Sequence, residues 1–341
     1  MLFDVTTSQP LALSILDLAI IGAGETAADA FRASVATAQR AEQRGYKRVW
    51  YAEHHNMASI ASSATSVLIA HVAAHTSTIR LGSGGVMLPN HSPLAIAEQF
   101  GTLATLHPGR IDLGLGRAPG SDQRTMHAMR VDPRASERFP DDVRELQAYL
   151  SAESAVPGVV AVPGANTNVP LYILGSSLFG ARLAAAFGLP YAFASHFAPA
   201  QLLDAVAAYR NEFQPSEHLQ QPHVIAGVNV IASESEADAE RQRVWVARRR
   251  IARFVTPGVT LSDTEADELL ASPQGQQIAQ MMHYTAAGTP DEVYAYLVNF
   301  AELAQVDELI TVHPSPTLDE RLHSIDLLAD ARDAAVAGLP A

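Results

Sequence analysis

Residues 78–117, TIRLGSGGVMLPNHSPLAIAEQFGTLATLHPGRIDLGLGR, decide the fold. Apolar runs of strand length lie near 78–82 and 110–115, and a helical pattern covers 93–107 between them. A strand, a crossover helix and a second strand in this order form a right-handed unit whose two strands are parallel. This stretch therefore predicts one βαβ unit of a parallel sheet.

The same alternation of strand and helix continues along the whole chain. Further apolar runs lie near 11–19, 47–52, 169–174, 190–195, 223–232 and 307–312. Helical patterns separate the strands near 26–44, 62–75, 137–152, 177–188 and 199–213, from 235 onwards, and near 290–305 and 319–335. Eight strands in 341 residues predict a (β/α)8 TIM barrel, one α/β domain over 1–341, in preference to a doubly wound sheet.

Two segments, 117–136 and 255–288, are longer than ordinary connections between a strand and a helix. We interpret both as insertions on the C-terminal face of the barrel, where enzymes of this fold place their active sites. Pro257-Gly258 and Ser272-Pro273 punctuate the second insertion, which we predict to be a mobile lid. Inert surface elaboration is the alternative.

Composition excludes several classes of function. The chain has 23 basic and 36 acidic residues, a net charge of −13, which disfavours binding to nucleic acid or to an anionic membrane. It has no cysteine, so disulfides, thiolate nucleophiles and cysteine-bound metals are excluded. The N-terminal residues carry no basic group before Arg32, and the apolar run 11–21 is too short to span a bilayer. We expect a soluble cytoplasmic protein.

A phosphate site is predicted by an arginine and a serine-rich turn. Lys47 is the only lysine and begins a strand, so a bound anion must be held by arginines, hydroxyls and backbone amides. Arg117 follows the fourth strand, and Ser176 and Ser177 begin the fifth helix, whose N-terminus favours anions. Each serine alone is equally compatible with a plain N-cap.

The second strand ends in RVWYAEHHN, residues 48–56. Strand alternation places His54 and His55 on opposite faces, which disfavours joint ligation of a metal, so we predict no metal site. At the C-terminal end of a barrel strand, His54 is suited to act as a general base or hydrogen-bond donor near neutral pH. A histidine satisfied by neighbouring backbone is an equally weighted alternative.

Glycines mark two other strand ends. Residues 22–27, GAGETA, match a dinucleotide-binding pattern, but the next acid at a strand end, Glu53, lies 29 residues beyond Gly24, so we do not assign a Rossmann fold. Gly82, Gly84 and Gly85 crowd the end of the third strand. They predict a β-bulge, a close approach to a planar ligand, or both.

Two predictions concern the outer faces of helices. Helix 62–75 has no Asp, Glu, Lys or Arg, and helix 93–107 has only Glu98, so together they would expose an uncharged patch. A homodimer that pairs these helices across a two-fold axis would cover it. Arg248, Arg249 and Arg250 lie in a helix dense in Arg and Glu, and we predict that they form a solvated face.

At the level of motifs, the chain resembles the luciferase-like flavin-dependent monooxygenases nearly end to end. The resemblance rests on VWYAEHHN (49–56), LGSGGVMLPNHSPLAIAEQFGTLATLHPGRIDLGLGRAPGS (81–121), LGSSLFGARLAAAFGLPYAFASHFAP (174–199) and GTPDE (288–292). The chain is similar to the bacterial luciferase α subunit and more closely to the YhbW-type branch.

This resemblance implies a barrel that binds reduced FMN on its C-terminal face and reacts with O2 through a flavin C4a-peroxide. It implies that a separate NAD(P)H:flavin reductase supplies FMNH2, and that His54 is the active-site histidine. A non-proline cis peptide under the isoalloxazine ring would fall on Gly84-Gly85. The implied phosphate ligands are Arg117, Arg138, Ser176, Ser177 and Gly180.

Two positions depart from the family pattern. Gly116 stands where the luciferases have a cysteine near the flavin, which argues against light emission. A hydroxyl of the family near Gly180 is missing, so only the backbone N–H is left there to bind phosphate. Neither position indicates the organic substrate.

Three other functions are weighed against a two-component monooxygenase. Hydride transfer with deazaflavin F420, as in a related branch of the family, needs basic groups for a polyanionic tail, and this chain is acidic. A non-catalytic flavin-binding protein would keep Arg117 and the serine turn but would not need His54. A metal-dependent barrel hydrolase would need a ligand set that the sequence lacks.

Overall fold

The computed structural model describes residues 10–118, 121–256 and 259–338. Its strands are β1 (Leu13–Asp17), β2 (Arg48–Tyr51), β3 (Arg80–Met87), β4 (Ile111–Gly116), β5 (Leu171–Gly175), β6 (Tyr191–Phe193), β7 (Val224–Ala232), β8 (Thr285–Gly288) and β9 (Glu308–Val312). Strands β1 to β7 pair successively in parallel, and β9 closes the barrel between β7 and β1. The predicted (β/α)8 barrel is confirmed, and its eight strands are those predicted.

The helices follow the predicted alternation. They are α1 (Ala27–Gln43), α2 (Thr65–Ala73), α3 (Pro93–Leu106), α4 (Gln123–Ala128), α5 (Phe139–Leu150), α6 (Leu178–Phe187), α7 (Leu202–Glu212), α8 (Glu236–Val255), α9 (Asp263–Ala271), α10 (Pro273–Gln280), α11 (Pro290–Ala304) and α12 (Leu318–Ala337). In the described ranges, none of them has both the length and the hydropathy needed to cross a membrane.

The helices differ in how their N-termini are capped. Thr26 and Asp29 form a capping box at α1, so the GAGETA turn leads into a helix whose first amides are already bonded. Ser235 likewise caps α8, and Thr317 caps α12. Helix α6 has no such cap, because its N-cap residue Ser177 makes no side-chain hydrogen bond; α2, α3, α5 and α7 also lack one. Its first-turn N–H groups are therefore left for another acceptor.

The N-terminal end of the barrel interior is filled by a buried ionic network. Arg48 contacts Asp112 at 2.7 Å and Glu308 at 2.8 Å, and Lys47 contacts Glu308 at 2.8 Å. Burial alone would raise the pKa of Glu308, but a hydrogen bond from His223 and the charges of Arg48 and Lys47 hold it well below its usual range. Lys47 lies at this end, away from the C-terminal face, as predicted.

Above this network, apolar side chains fill the barrel. The buried set is Leu16, Trp50, Ala52, Tyr172, Ala192, Ile225, Ile310 and Val312. Glycines on β3 and β4 make room for these residues: a Cβ at Gly84 would lie 2.8 Å from Leu16 Cδ1, and one at Gly114 only 2.3 Å from the Ser83 carbonyl oxygen. The glycine-rich pattern thus serves close packing as well as the rim above it.

Both predicted insertions contain regular structure. The segment 117–136 includes α4, and 255–288 contains α9, α10 and β8. The sequence did not predict β8, which pairs with Asn229–Ala232, the upper half of β7. Helices α9 and α10 pack on α8 around Ile251, Ala266 and Ile278. Pro119-Gly120 and the Pro257-Gly258 pair of the predicted lid lie outside the described residues.

Candidate active site

The candidate site lies where the barrel strands end. His54 follows β2, the Gly84–Gly85 peptide lies within β3, Arg117 follows β4, and Ser176 follows β5. Because all barrel strands are parallel, these positions share one face of the barrel, as predicted.

His54 has an unsatisfied imidazole nitrogen in the site. Its backbone N–H donates to the Ser62 carbonyl oxygen at 3.1 Å, but its Nδ1 is buried without a hydrogen-bond partner. Neighbouring backbone therefore does not satisfy this nitrogen, in contrast to the alternative considered above. Burial and the charge of Arg253 lower the pKa of His54, so the ring is neutral at pH 7.

Glu53 is a positioning residue that the sequence did not single out. Its buried carboxylate accepts hydrogen bonds from His55 and His91, each at 2.9 Å, and from the Met87 amide at 3.0 Å. Burial would raise the pKa of Glu53, but these bonds, with His91 first, outweigh it and hold the pKa below its usual value. The carboxylate thus ties the end of β2 to the end of β3 and holds the His55 ring.

The described ranges contain no group of His, Cys, Asp and Glu side chains arranged to hold a metal ion.

His196, which follows β6, is a second histidine that sequence reasoning missed. Its carbonyl oxygen accepts a bond from Asn229 Nδ2 at 2.9 Å, while its own Nδ1 is buried without a partner. A Cβ at Gly227 would lie 2.3 Å from that nitrogen, so only glycine leaves room for the ring. Burial, with the charges of Arg250 and His54, lowers the pKa of His196 to about 3, and the ring is uncharged at neutral pH.

The prediction of a solvated arginine face on α8 is wrong for Arg250. Arg248 pairs with Asp263 and Asp267, and Arg249 is exposed over the Trp245 ring, as expected for that face. Arg250 is half-buried and close enough to His196 to lower its pKa. Helix α8 also packs on β7 and β8, so the barrel covers one of its sides, and composition cannot distinguish that side from a solvent face.

The structure brings Arg117 to the N-terminus of α6. Its guanidinium carbon lies 4.0 Å from the centre of the Phe179 ring, in the first turn of that helix. Tyr191, a residue that the sequence did not single out, donates from its hydroxyl to the Ser177 carbonyl oxygen at 3.1 Å and fixes this turn. Gly180 is buried, and a Cβ there would lie 3.4 Å from the Tyr191 ring. An arginine and the uncapped amides of α6 therefore lie close together, and their use as an anion site stays a prediction.

Among the described residues, Arg138 makes no direct contact with this group, and its role as a phosphate ligand stays a prediction. It ends a short 3-10 turn (Ala135–Arg138), is exposed, and its charge acts on Asp142 of α5. Within the ranges that the structure describes, no hydrogen bond, ion pair or ring contact joins Arg138 to Arg117 or to α6.

The Gly84–Gly85 peptide is cis, which confirms the sequence prediction. The register between β3 and β4 shifts from Ser83 to Val86, so the β-bulge is also present. The peptide leaves backbone atoms without side chains at this part of the rim.

A cavity of about 440 Å³ opens at the opposite end of the barrel. Its walls include Lys47, Arg48, Tyr172 and His223. The two cations there are already paired with Glu308 and Asp112. We therefore place the candidate chemistry at the C-terminal face, where polar groups are left without partners.

A closed parallel barrel with neutral histidines, free cations and an uncapped helix N-terminus at its C-terminal face is typical of TIM-barrel enzymes that bind an anionic ligand. The chain belongs to the luciferase-like monooxygenase family, whose family model matches residues 12–307. A luciferase-like monooxygenase from Escherichia coli is 46% identical over 333 residues, 96% of this chain and 98% of that protein. The protein is therefore an oxidoreductase of the monooxygenase type.

Two further relatives are similar over nearly their full length. The N-acetyl-S-alkylcysteine monooxygenase of Bacillus subtilis is 33% identical over 332 residues, 94% of this chain and 98% of that protein. The solved structure of apo-MsnO8 has a TM-score of 0.85 at 35% identity and covers 95% of this chain and 98% of its own.

More distant structures share the fold alone. The oxygenating constituent of 3,6-diketocamphane monooxygenase from Pseudomonas putida, in complex with FMN, has a TM-score of 0.71 at 16% identity, with 97% of this chain and 100% of that chain covered. An F420-dependent secondary alcohol dehydrogenase has a TM-score of 0.65 at 16% identity, with 95% and 98% covered. The fold therefore does not decide between the two cofactors.

Proposed function

We propose that this protein is an FMN-dependent monooxygenase of the two-component type. It would take FMNH2 from a separate NAD(P)H:flavin reductase and use O2 to oxygenate a small organic substrate. The observation that carries this proposal is the placement of Arg117 against the uncapped N-terminus of α6. This pairing provides charge and directed N–H groups for a terminal phosphate, which FMN has and riboflavin lacks.

The residues at the barrel end fit a flavin phosphate. Arg117 supplies the charge, Ser176 and Ser177 supply hydroxyl groups, and the Gly180 amide lies in the first turn of α6. The side-chain-free peptide Gly84–Gly85 is suited to a planar ring lying on it. When bound, the reduced flavin would supply the electrons that activate O2.

His54 would hold or move a proton at its unpartnered Nδ1. A neutral imidazole can accept a proton there, and burial of the ring keeps bulk water from competing for that nitrogen. Glu53 acts through its neighbours, because it holds the backbone on both sides of the site. A non-catalytic flavin carrier would have no use for a buried, unsatisfied histidine nitrogen, which must stay without a partner at a cost in stability.

The proposal is tested by anaerobic titration with FMNH2 and, in parallel, with reduced F420, followed by mixing with 18O2 and a candidate substrate. We expect binding of FMNH2 but not of reduced F420, and label from O2 in the product. Preferential binding of reduced F420 would favour the hydride-transfer alternative. Binding of FMNH2 with no labelled product from any candidate would favour the non-catalytic one.

We take the first candidate substrates from the Bacillus subtilis relative, which is named for action on N-acetyl-S-alkylcysteines. These compounds are small thioether acids. The candidate substrates for the 18O2 experiment are drawn from this class. The protein is further proposed to act in the cytoplasm.

We also propose the homodimer through α2 and α3. Val67 on α2 and Leu106 on α3 are 67% and 64% exposed, and Ser66 of α2 donates to Gln99 of α3 at 2.7 Å. The two helices therefore form one continuous surface on which Glu98 is the one Asp, Glu, Lys or Arg side chain. A second copy of the chain would cover it.

A further inference from the structure

Helix α8 carries two arginines that differ from the others on the same helix. Arg241 pairs with Asp238 and Glu320, and Arg243 pairs with Glu240. Within the described part of the chain, Arg250 and Arg253 contact no carboxylate, although both are half-buried.

Arg250 and Arg253 lie three residues apart and therefore on one side of the helix. The charges that act on them come from other arginines: burial and Arg253 lower the pKa of Arg250 to about 10, and burial and Arg249 lower that of Arg253. Two cations that share a partly dehydrated site without an anion are unfavourable, so this arrangement calls for a negatively charged partner.

Helix α8 packs on β7, and the His196 ring lies against Gly227 of the same strand. Arg253 acts on His54 and Arg250 acts on His196, and in each ring the buried Nδ1 has no hydrogen-bond partner. The nearest acid, Glu53, already accepts bonds from His55, His91 and the Met87 amide. Two arginines of α8 thus lie within electrostatic range of two unsatisfied imidazole nitrogens.

This cluster draws its residues from other elements than the predicted anion site at α6 does. It is built from α8 and from the ends of β2 and β6, whereas Arg117 stacks on Phe179 in the first turn of α6. If the flavin phosphate is bound at α6, the charge of Arg250 and Arg253 remains for another anion. A carboxylate suits it, because its two oxygens accept the paired N–H groups of guanidinium.

We propose that Arg250 and Arg253 bind a carboxylate group of the organic substrate, so that this enzyme acts on a small carboxylic acid. This inference rests on the proposed function, since it assumes that the flavin phosphate is bound elsewhere. It makes the two arginines specificity-determining residues at the mouth of the barrel.

The test compares an acid with its amide. Binding of N-acetyl-S-methylcysteine and of its carboxamide is measured by calorimetry, on the protein with and without oxidised FMN. We expect the wild type to bind the acid at least tenfold more tightly than the carboxamide. Arg250→Gln and Arg253→Gln should each weaken binding of the acid more than tenfold and leave that of the carboxamide within twofold. Arg249→Gln, at the exposed arginine over Trp245, is the matched control and should change neither.

Other outcomes overturn the proposal. Equal binding of acid and carboxamide by the wild type, or binding of neither, removes the carboxylate site. A variant that weakens both ligands equally has lost structure rather than a charge contact. A variant that weakens FMN but not riboflavin shows that these arginines hold the flavin phosphate.

Two measurements keep the proposal separate from folding and from the proposed function. Because each substitution removes an unpaired, partly buried charge, the melting temperature of the ligand-free variants should not fall. If FMNH2 fails to bind to the wild type but the flavin-free protein still prefers the acid, the proposed function fails and the carboxylate site stands.

Discussion

Replacing Arg117 by alanine tests whether the α6 site holds the flavin phosphate. Arg117 stacks on the Phe179 ring, and it presents a positive charge at the N-terminus of α6. The alanine substitution removes both. The stacking is present with either FMN or riboflavin, so its loss cancels when the two ligands are compared. Only the interaction with the phosphate remains in the ratio of the two affinities.

The size of the effect follows from the type of contact. A hydrogen bond to a charged group contributes about 1.5–3 kcal/mol. Arg117 is exposed, so solvent screens it, and we expect the lower end of this range. The affinity for FMN should then fall by roughly tenfold to thirtyfold, since each 1.4 kcal/mol is a factor of ten. The affinity for riboflavin should change less than twofold.

Flavin fluorescence quenching measures both dissociation constants. Arg117→Lys should show an intermediate loss, because it keeps the charge but not the planar, bidentate guanidinium. Phe179→Leu is the matched control, since it removes the ring under the guanidinium and keeps the charge. If FMN and riboflavin affinities fall equally in Arg117→Ala, the phosphate is not bound at this residue.

Three further predictions concern stability, the second insertion and assembly. Hydrogen bonds hold the pKa of Glu53 below 4.5. Its carboxylate therefore stabilises the folded state above that pH, and this stabilisation disappears as the pH falls through the lowered pKa. Glu53→Gln should thus lower the free energy of unfolding by about 2–3 kcal/mol at pH 7 in urea titrations, and by less in acid; a pH-independent difference would contradict this role. Limited proteolysis of the free protein should cut first within 255–288, and bound flavin should slow this cleavage. Faster cleavage elsewhere, at a rate that flavin does not change, would argue against a lid. Wild type should sediment as a dimer and Ala70→Glu with Ala74→Glu as a monomer, and a wild-type monomer or a fully dimeric double variant would exclude the α2–α3 interface.

The barrel itself could be predicted because each of its strands is a short apolar run between helical patterns. This signal fails for β8, whose four residues TAAG have little strand preference and form a strand only by pairing with the extension of β7. Strand alternation could not be tested for His54 and His55, because β2 ends at Tyr51, before both residues.

The candidate site could be predicted only where neighbouring strands supply its residues. Arg117 and the serine turn follow β4 and β5, which are adjacent in the barrel, so their proximity follows from topology. The orientation of Arg250 and the placement of His196 depend on how α8 packs on the barrel. The helical pattern of the sequence does not indicate which element covers each side of that helix. The assignment of Arg138 came from resemblance alone, and it stays a prediction.

Under the proposed function, the missing side-chain cap on α6 would couple the stability of the protein to binding of its cofactor. A side-chain cap is worth about 1 kcal/mol of helix stability, which the ligand-free protein forgoes at this helix. With the flavin phosphate as the acceptor, the folded state gains free energy in proportion to the logarithm of flavin concentration over its dissociation constant. The apoprotein is then the form more readily unfolded and degraded, so the amount of enzyme in the cell would follow the supply of flavin without any dedicated regulator. Conversely, Ser177→Asp would place a carboxylate at the N-terminus of α6. The variant should be more stable than the wild type, and its carboxylate should repel the flavin phosphate.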